Sequence, residues 1–234
     1  DTRLIIDFFN KNKNNHTTWE TLLEEFMKTF RRSYSLIIQT KNGFFVIRDQ
    51  MGVRPLYYLK KTNNTYIFSS ESCIFTEQEI KGNELVEVKS GEIISLINGL
   101  MVKSRPQTLK NKSESHCLFE YIYFLKKKSS FENIYVSDYR DLVGEKMGLM
   151  DRKYFEKKKG NPIVVGVPNT GNDYARSYAN GVELMFKEYI IKNKNIDRTF
   201  ILKSDEERKS QAKEKYIFDD RMKGEDIILV DDSL

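Results

Sequence analysis

Ile227-Ile228-Leu229-Val230-Asp231-Asp232-Ser233 is the stretch on which the reading of this chain turns. Four aliphatic residues in a row, three of them β-branched, suit a strand in a parallel sheet covered on both faces. The run ends in two acids and a hydroxyl. Open α/β sheets bind their ligands at the carboxyl ends of the strands, which is where these groups would lie. Adjacent carboxylates there suit the ribose hydroxyls of a sugar phosphate, or Mg²⁺ held through oxygen ligands. A turn after them would offer backbone N–H groups to a phosphate. The plainer alternative is that Asp231 begins a loop and Asp232 caps a helix, and spacing alone does not separate the two.

Working outward, a second apolar strand, Ile163 to Val167, leads through Gly166-Val167-Pro168-Asn169-Thr170-Gly171-Asn172 into a helix expected over Asp173 to Gly181. Small polar residues at such a turn can cradle a phosphate or present a hydroxyl to a metal. An ordinary turn capped by Thr170 or Asn172 is the competing reading. Two turns of this kind in one region strengthen the ligand-binding reading. A helix over Asp138 to Met150 and a short strand at Glu183 to Lys187 complete an α/β pattern. The basic stretch Lys192, Lys194, Arg198, Lys203, Arg208, Lys209, Lys213 and Lys215 is interleaved with acids. It reads either as a salt-bridged solvent face or as a cationic flap over a polyphosphate.

The first part of the chain has another period. Leu4 to Phe9 places apolar residues on one face of a short helix, and Thr17 or Thr18 is positioned to cap the next. Short strands follow at Tyr34–Gln39, Phe44–Arg48, Leu56–Leu59, Tyr66–Ser69, Leu85–Val88 and Glu92–Leu96, separated by turn residues. This is an antiparallel region with short hairpins. Arg48 and Arg54 flank a tight turn and are expected to pair with Asp49 and Glu71. From Lys103 to Ser115 the sequence is polar and reads as a surface connection. Two domains of different class are therefore expected, over 1–106 and 107–234.

Composition narrows the function. The 234 residues are 39% hydrophobic, enough for a packed core, and the net charge of +5 is small and dispersed. That surplus favours phosphate-bearing ligands but not nucleic acid. No apolar run is long enough to cross a membrane, and the N-terminal residues do not read as a signal peptide. Two cysteines, Cys73 and Cys117, make no disulfide framework, so a reducing cytoplasm is expected. Cys73 reads as core; His16 and His116 lie in polar connections without paired ligands. The chain opens on Asp1 rather than Met and stops just after an apolar strand, so a piece of a longer protein, cut at both ends, is expected.

With these residues in view, the chain resembles the amidophosphoribosyltransferases, also called glutamine phosphoribosylpyrophosphate amidotransferases. The resemblance is carried by Arg48-Asp49-Gln50-Met51-Gly52-Val53-Arg54-Pro55-Leu56, which is similar to an RDPxGxRPL motif. It continues in Ser70-Glu71-Ser72, in Ser90-Gly91-Glu92 and in Cys117-Leu118-Phe119-Glu120-Tyr121-Ile122-Tyr123-Phe124. Val167-Pro168-Asn169-Thr170-Gly171 is similar to VPDSG, and Lys192 to Ile201 to the loop motif KNRYxGRTFI. Asp231-Asp232-Ser233-Leu234 looks like the opening of the phosphoribosyl pyrophosphate signature. The motifs run in family order from Asp1 to Leu234.

The resemblance implies a partial α+β N-terminal-nucleophile glutaminase domain followed by a partial α/β type I phosphoribosyltransferase domain. It implies release of ammonia from glutamine and its transfer to phosphoribosyl pyrophosphate, giving 5-phosphoribosylamine for purine synthesis. Mg²⁺ and a homo-oligomeric full-length enzyme come with it. Asp1 is implied to bind the α-amino group of glutamine; Lys192, Arg198, Thr199 and Ser233 are implied to contact phosphoribosyl pyrophosphate. Asp231 and Asp232 are implied to contact the ribose hydroxyls or Mg²⁺, with Thr170 at a metal-associated position. Cys117 falls where some members hold an iron–sulfur cluster.

The family's nucleophilic cysteine would precede residue 1, so the chain alone is expected to be inactive in glutamine hydrolysis. Asn169 stands for an aspartate, Lys194 for an arginine and Asp197 for a glycine; Leu125-Lys126-Lys127 departs from the family's ARPDS. A degenerate homologue that binds a nucleotide or partner without catalysis is the rival reading.

Overall fold

A computed structural model describes residues 2–106, 115–157, 160–193 and 214–233. The chain divides into two compact units, residues 1–120 with 128–133 and residues 121–127 with 134–234.

The first unit opens with α1 (Thr2–Asn12) and α2 (Trp19–Thr29). Thr18 caps α2, its hydroxyl accepting from the Thr21 N–H, as a residue with a short oxygen side chain does at this position. A four-stranded antiparallel sheet follows in the order β1 (Ser35–Thr40), β2 (Gly43–Arg48), β6 (Ile93–Ile97), β7 (Leu100–Ser104). A three-stranded sheet has the order β4 (Tyr66–Ser69), β3 (Tyr57–Lys60), β5 (Glu84–Glu87). A short helix, α3 (Glu77–Ile80), is held by a full capping box between Thr76 and Glu79.

Side-chain alternation in β2 explains the layering. Phe45 and Ile47 join Leu23, Phe26 and Met27 of α2 in one cluster, whereas Val46 joins Tyr58 and Val88 in another. The sheet is therefore covered on both faces, by helices on one and by the second sheet on the other. Stacked rings reinforce the helical side, with Trp19 and Phe45 centroids 5.7 Å apart and Phe26 and Phe30 4.7 Å apart.

The polar connection expected from Lys103 begins later. β7 continues through Ser104, which pairs with Ile93, because the ladder is made by backbone groups whatever the side chains.

Chain order then brings a single π-helical turn (Glu120–Phe124), the two-residue strands β8 (Ser130–Phe131) and β9 (Ile134–Tyr135), and the 21-residue helix α4 (Val136–Glu156). In the second unit, β10 (Ile163–Gly166) leads into α5 (Thr170–Val182). β11 (Ile190–Lys192) and β12 (Tyr216–Phe218) form an antiparallel ribbon. β13 (Ile227–Val230) runs parallel to β10 with Ile163 opposite Ile227 and Gly166 opposite Val230. The short strand expected at Glu183 to Lys187 is reduced to one parallel bridge between Phe186 and Val164.

Helices α4 and α5 pack through glycine. A Cβ on Gly144 would lie 2.5 Å from the Tyr174 carbonyl oxygen, and one on Gly148 would lie 2.8 Å from the Val182 nitrogen. Only hydrogen at these positions lets the backbones approach so closely.

Candidate active site

Two turns meet at the carboxyl edge of the parallel pair. The Val167 N–H donates to the Val230 carbonyl at 2.9 Å, extending the β10–β13 ladder by one step. The chain then turns through Pro168 and Asn169, whose peptide bond is cis, and enters α5 at Thr170. A Cβ on Gly171 would lie 2.8 Å from the Val230 oxygen and 3.2 Å from the Asp231 Cα, so the first turn of α5 rests on the exit of β13. Gly166 has the matching role on the other strand, where a Cβ would lie 2.5 Å from the Asn172 side-chain oxygen. The two glycines bring the Asn169–Asn172 turn beside Asp231.

Asn169 makes no side-chain capping bond to α5, so no capping side chain from this position competes for the N–H groups at its start. Those N–H groups are the donors an anion would use. Beside them, Asp231 Oδ1 accepts the Asp232 N–H at 2.8 Å and Asp232 Oδ1 accepts the Ser233 hydroxyl at 3.1 Å. Among the described residues the second oxygen of each carboxylate accepts no hydrogen bond. Desolvation at the strand end pushes the Asp231 carboxyl above its ordinary value; the Asp232 N–H that it accepts draws it back, the Asp232 carboxylate adds a smaller push upward, and the Lys215 ammonium opposes it. Two open carboxylate oxygens next to a hydroxyl-bearing turn fit Mg²⁺ or ribose hydroxyls, both of which take hard oxygen partners.

Lys192 closes β11 opposite Tyr216, and Lys215 carries its ammonium 5.0 Å from the Tyr216 ring centroid. The ribbon thus brings lysines from the expected cationic stretch to its own end. Asp1, Arg198 and Thr199 lie outside the described residues, as do Leu234 and the rest of the basic stretch from Lys194 to Lys213. Cys117 is a free, half-buried thiol, and no group of three or more His, Cys, Asp or Glu side chains is arranged for a metal among the described residues.

In the first unit, the expected pairing of Arg48 with Asp49 or Glu71 is replaced by another. Arg48 is 1% exposed and donates to Glu87 at 3.0 Å, to Glu132 at 3.5 Å and to the carbonyls of Arg54, Gly52 and Val88. Asp49 instead receives the N–H groups of Met51 and Val53, closing the turn from inside. Arg54 bonds Glu120 at 2.6 Å. The Glu120 carboxyl is raised by burial, and Arg54 holds it back.

A buried node in the second unit has no counterpart in the sequence reading. Arg140, 3% exposed, donates to Asp173 Oδ2 at 3.1 Å, and Lys127 donates to Asp173 Oδ1 at 2.9 Å. Nothing in the local pattern around Asp138 to Met150 distinguishes Arg140 from a surface charge.

An antiparallel sandwich flanked by helices, followed by a parallel-sheet unit with polar turns at its carboxyl edge, defines the class. It is an N-terminal-nucleophile glutamine amidotransferase fold joined to a phosphoribosyltransferase fold. Residues 1–77 match the glutamine amidotransferase domain family. An amidophosphoribosyltransferase of Methanothermobacter thermautotrophicus is 32% identical over 206 residues, covering 86% of this chain and 40% of that protein. One of Staphylococcus epidermidis is 28% identical over 237 residues, covering 100% of this chain and 45% of that protein. Among solved structures, a glutamine phosphoribosylpyrophosphate amidotransferase from B. subtilis, complexed with ADP and GMP, superposes with a TM-score of 0.73 at 26% identity. That match covers 94% of this chain and 46% of the other. The chain is thus a homologue of the amidophosphoribosyltransferases, and it spans less than half the length of these relatives. No described helix is long and apolar enough to cross a membrane.

Proposed function

We propose that this protein transfers glutamine-derived ammonia to phosphoribosyl pyrophosphate, giving 5-phosphoribosylamine in the first step of purine synthesis. The observation that carries the reading is the meeting of the Asn169–Asn172 turn with Asp231 and Asp232 at the carboxyl edge of β10 and β13. Similarity along the chain to enzymes named for this reaction supports it.

In this reading Asp231 and Asp232 orient the ribose through its hydroxyls and hold Mg²⁺ together with Thr170, while Ser233 faces the phosphate. Bound Mg²⁺ offsets charge on the pyrophosphate leaving group. The ammonia nitrogen bonds to C1 of the ribose as the C1–oxygen bond to pyrophosphate breaks, and the amine then loses a proton. Lys192, Arg198 and Thr199 screen the polyphosphate from water, and Asp1 receives the α-amino group of glutamine. A cytoplasmic setting and assembly of several copies belong to the same proposal.

Calorimetric titration of the full-length protein with phosphoribosyl pyrophosphate and Mg²⁺ tests it. Mg²⁺-dependent binding, weakened about tenfold or more by each of Asp231→Asn and Asp232→Asn, is expected. A folded protein that does not bind, or that binds equally well with both changes, overturns the reading.

A further inference from the structure

We propose that Arg140 is a positioning residue for the sugar-phosphate turn, acting through Asp173; the inference rests on the binding site proposed above. Asp173 lies in the first turn of α5, shortly after Thr170. Its two carboxylate oxygens are held by different cations, Oδ2 by Arg140 at 3.1 Å and Oδ1 by Lys127 at 2.9 Å. The start of α5 is therefore fixed by a charge-assisted clamp rather than by a capping side chain at Asn169.

Arg140 does more than neutralise Asp173. Its Nε donates to the Tyr121 carbonyl at 2.9 Å, and a terminal nitrogen donates to the Leu125 carbonyl at 2.9 Å. Those carbonyls lie in and just after the π-helical turn. The Tyr174 hydroxyl adds a bond to the Ile122 carbonyl at 3.3 Å. One guanidinium thus joins the Tyr121–Lys127 segment to the helix whose first residues form the turn. Its planar fork reaches both carbonyls and the carboxylate at once, which a lysine ammonium cannot reproduce. A displacement of that segment is transmitted to the position of Thr170, because the arginine that links them is buried and bonds both.

Tyr178 supplies a control. Its hydroxyl donates to Asp151 at 2.9 Å, another polar link between α5 and α4. This link lies roughly two helical turns beyond Thr170. Among the described residues the Tyr178 hydroxyl bonds neither Asp173 nor the turn.

The experiment is calorimetric titration of the full-length protein with phosphoribosyl pyrophosphate and Mg²⁺, comparing the unaltered protein with Arg140→Met, Arg140→Lys and Tyr178→Phe. Arg140→Met and Arg140→Lys are expected to weaken binding about ten- to a hundredfold, as loss of a supporting partner does at other sites. Tyr178→Phe is expected to lower the melting temperature while binding as the unaltered protein does. If Arg140→Met does not fold, Arg140→Lys and Lys127→Met carry the test. Unchanged binding in the folded Arg140 variants overturns the inference, as does an equal loss in Tyr178→Phe. Failure of the unaltered protein to bind overturns the underlying reading, and the inference with it.

Discussion

Arg48 presents five N–H donors, and five bonds leave it: to Glu87, Glu132 and the carbonyls of Gly52, Arg54 and Val88. Removing the guanidinium takes a charge-assisted donor from Glu87 and Glu132 and a donor from three carbonyls around a buried site, although Glu87 keeps the Tyr57 hydroxyl and Glu132 keeps His116. Arg48→Met is expected to lower unfolding stability by about 3–5 kcal/mol, read from the denaturant midpoint. Arg48→Lys should recover only part of the loss, since one ammonium cannot reach acceptors in a fork. The importance of this arginine was legible in the sequence, but its partners were not. Glu87 is 39 positions away and Glu132 is 84, and no local pattern encodes such pairings. Asp231 shows the opposite balance. Its carboxyl is raised above its ordinary value of 3.8, so the folded state holds this proton more tightly than the unfolded chain. Its contribution favours folding in acid and fades as pH rises through the folded value. Asp231→Asn is therefore expected to raise the melting temperature at neutral pH and to flatten its pH dependence across the acid range in which this carboxyl titrates. A melting temperature that falls at neutral pH would contradict this. The same change should weaken phosphoribosyl pyrophosphate binding, so that stability and function move in opposite directions.

Helix α4 buries Val136, Arg140, Gly144 and Gly148, every fourth residue. Four of its large apolar side chains point elsewhere: Leu142, Met147, Leu149 and Met150 are exposed, Met150 at 81%, while Phe155 near its end packs against the α5 cluster. The existence of this helix was legible between Asp138 and Met150, but its packing face was not. Hydropathy marks apolar side chains, whereas this interface is made by the absence of side chains, with Gly181 on α5 meeting the Glu145 carbonyl. Gly148→Ala is expected to destabilise by about 1–3 kcal/mol through overpacking, measured by chemical denaturation. In an exposed helix the same change would stabilise by about 1 kcal/mol, so the sign of the result tests the packing directly. Strands fared differently. β4 lies at Tyr66–Ser69 as expected, because alternation and flanking asparagines fix it locally. β11 and β12 were hidden within charged sequence, where a three-residue ladder leaves no periodic trace.

Across the whole chain, the change from period-two strands to an alternation of helices and apolar strands was enough to expect two classes of domain. The turn at Asn169–Asn172 and the acids after β13 were each ambiguous when read alone. Parallel pairing of β10 with β13 places them side by side, and that juxtaposition of residues far apart in the chain lies beyond local sequence patterns. Two chemistries are proposed for one protein, so the most direct measurement follows the atom that passes between them. The full-length protein would be supplied with amide-¹⁵N glutamine, phosphoribosyl pyrophosphate and Mg²⁺, and the products read by mass spectrometry and pyrophosphate release. The expected result is ¹⁵N in 5-phosphoribosylamine, with pyrophosphate released in equal amount and both lost in Asp231→Asn. Glutamine hydrolysis without label in a ribosylamine, or label transfer undiminished by Asp231→Asn, would contradict it.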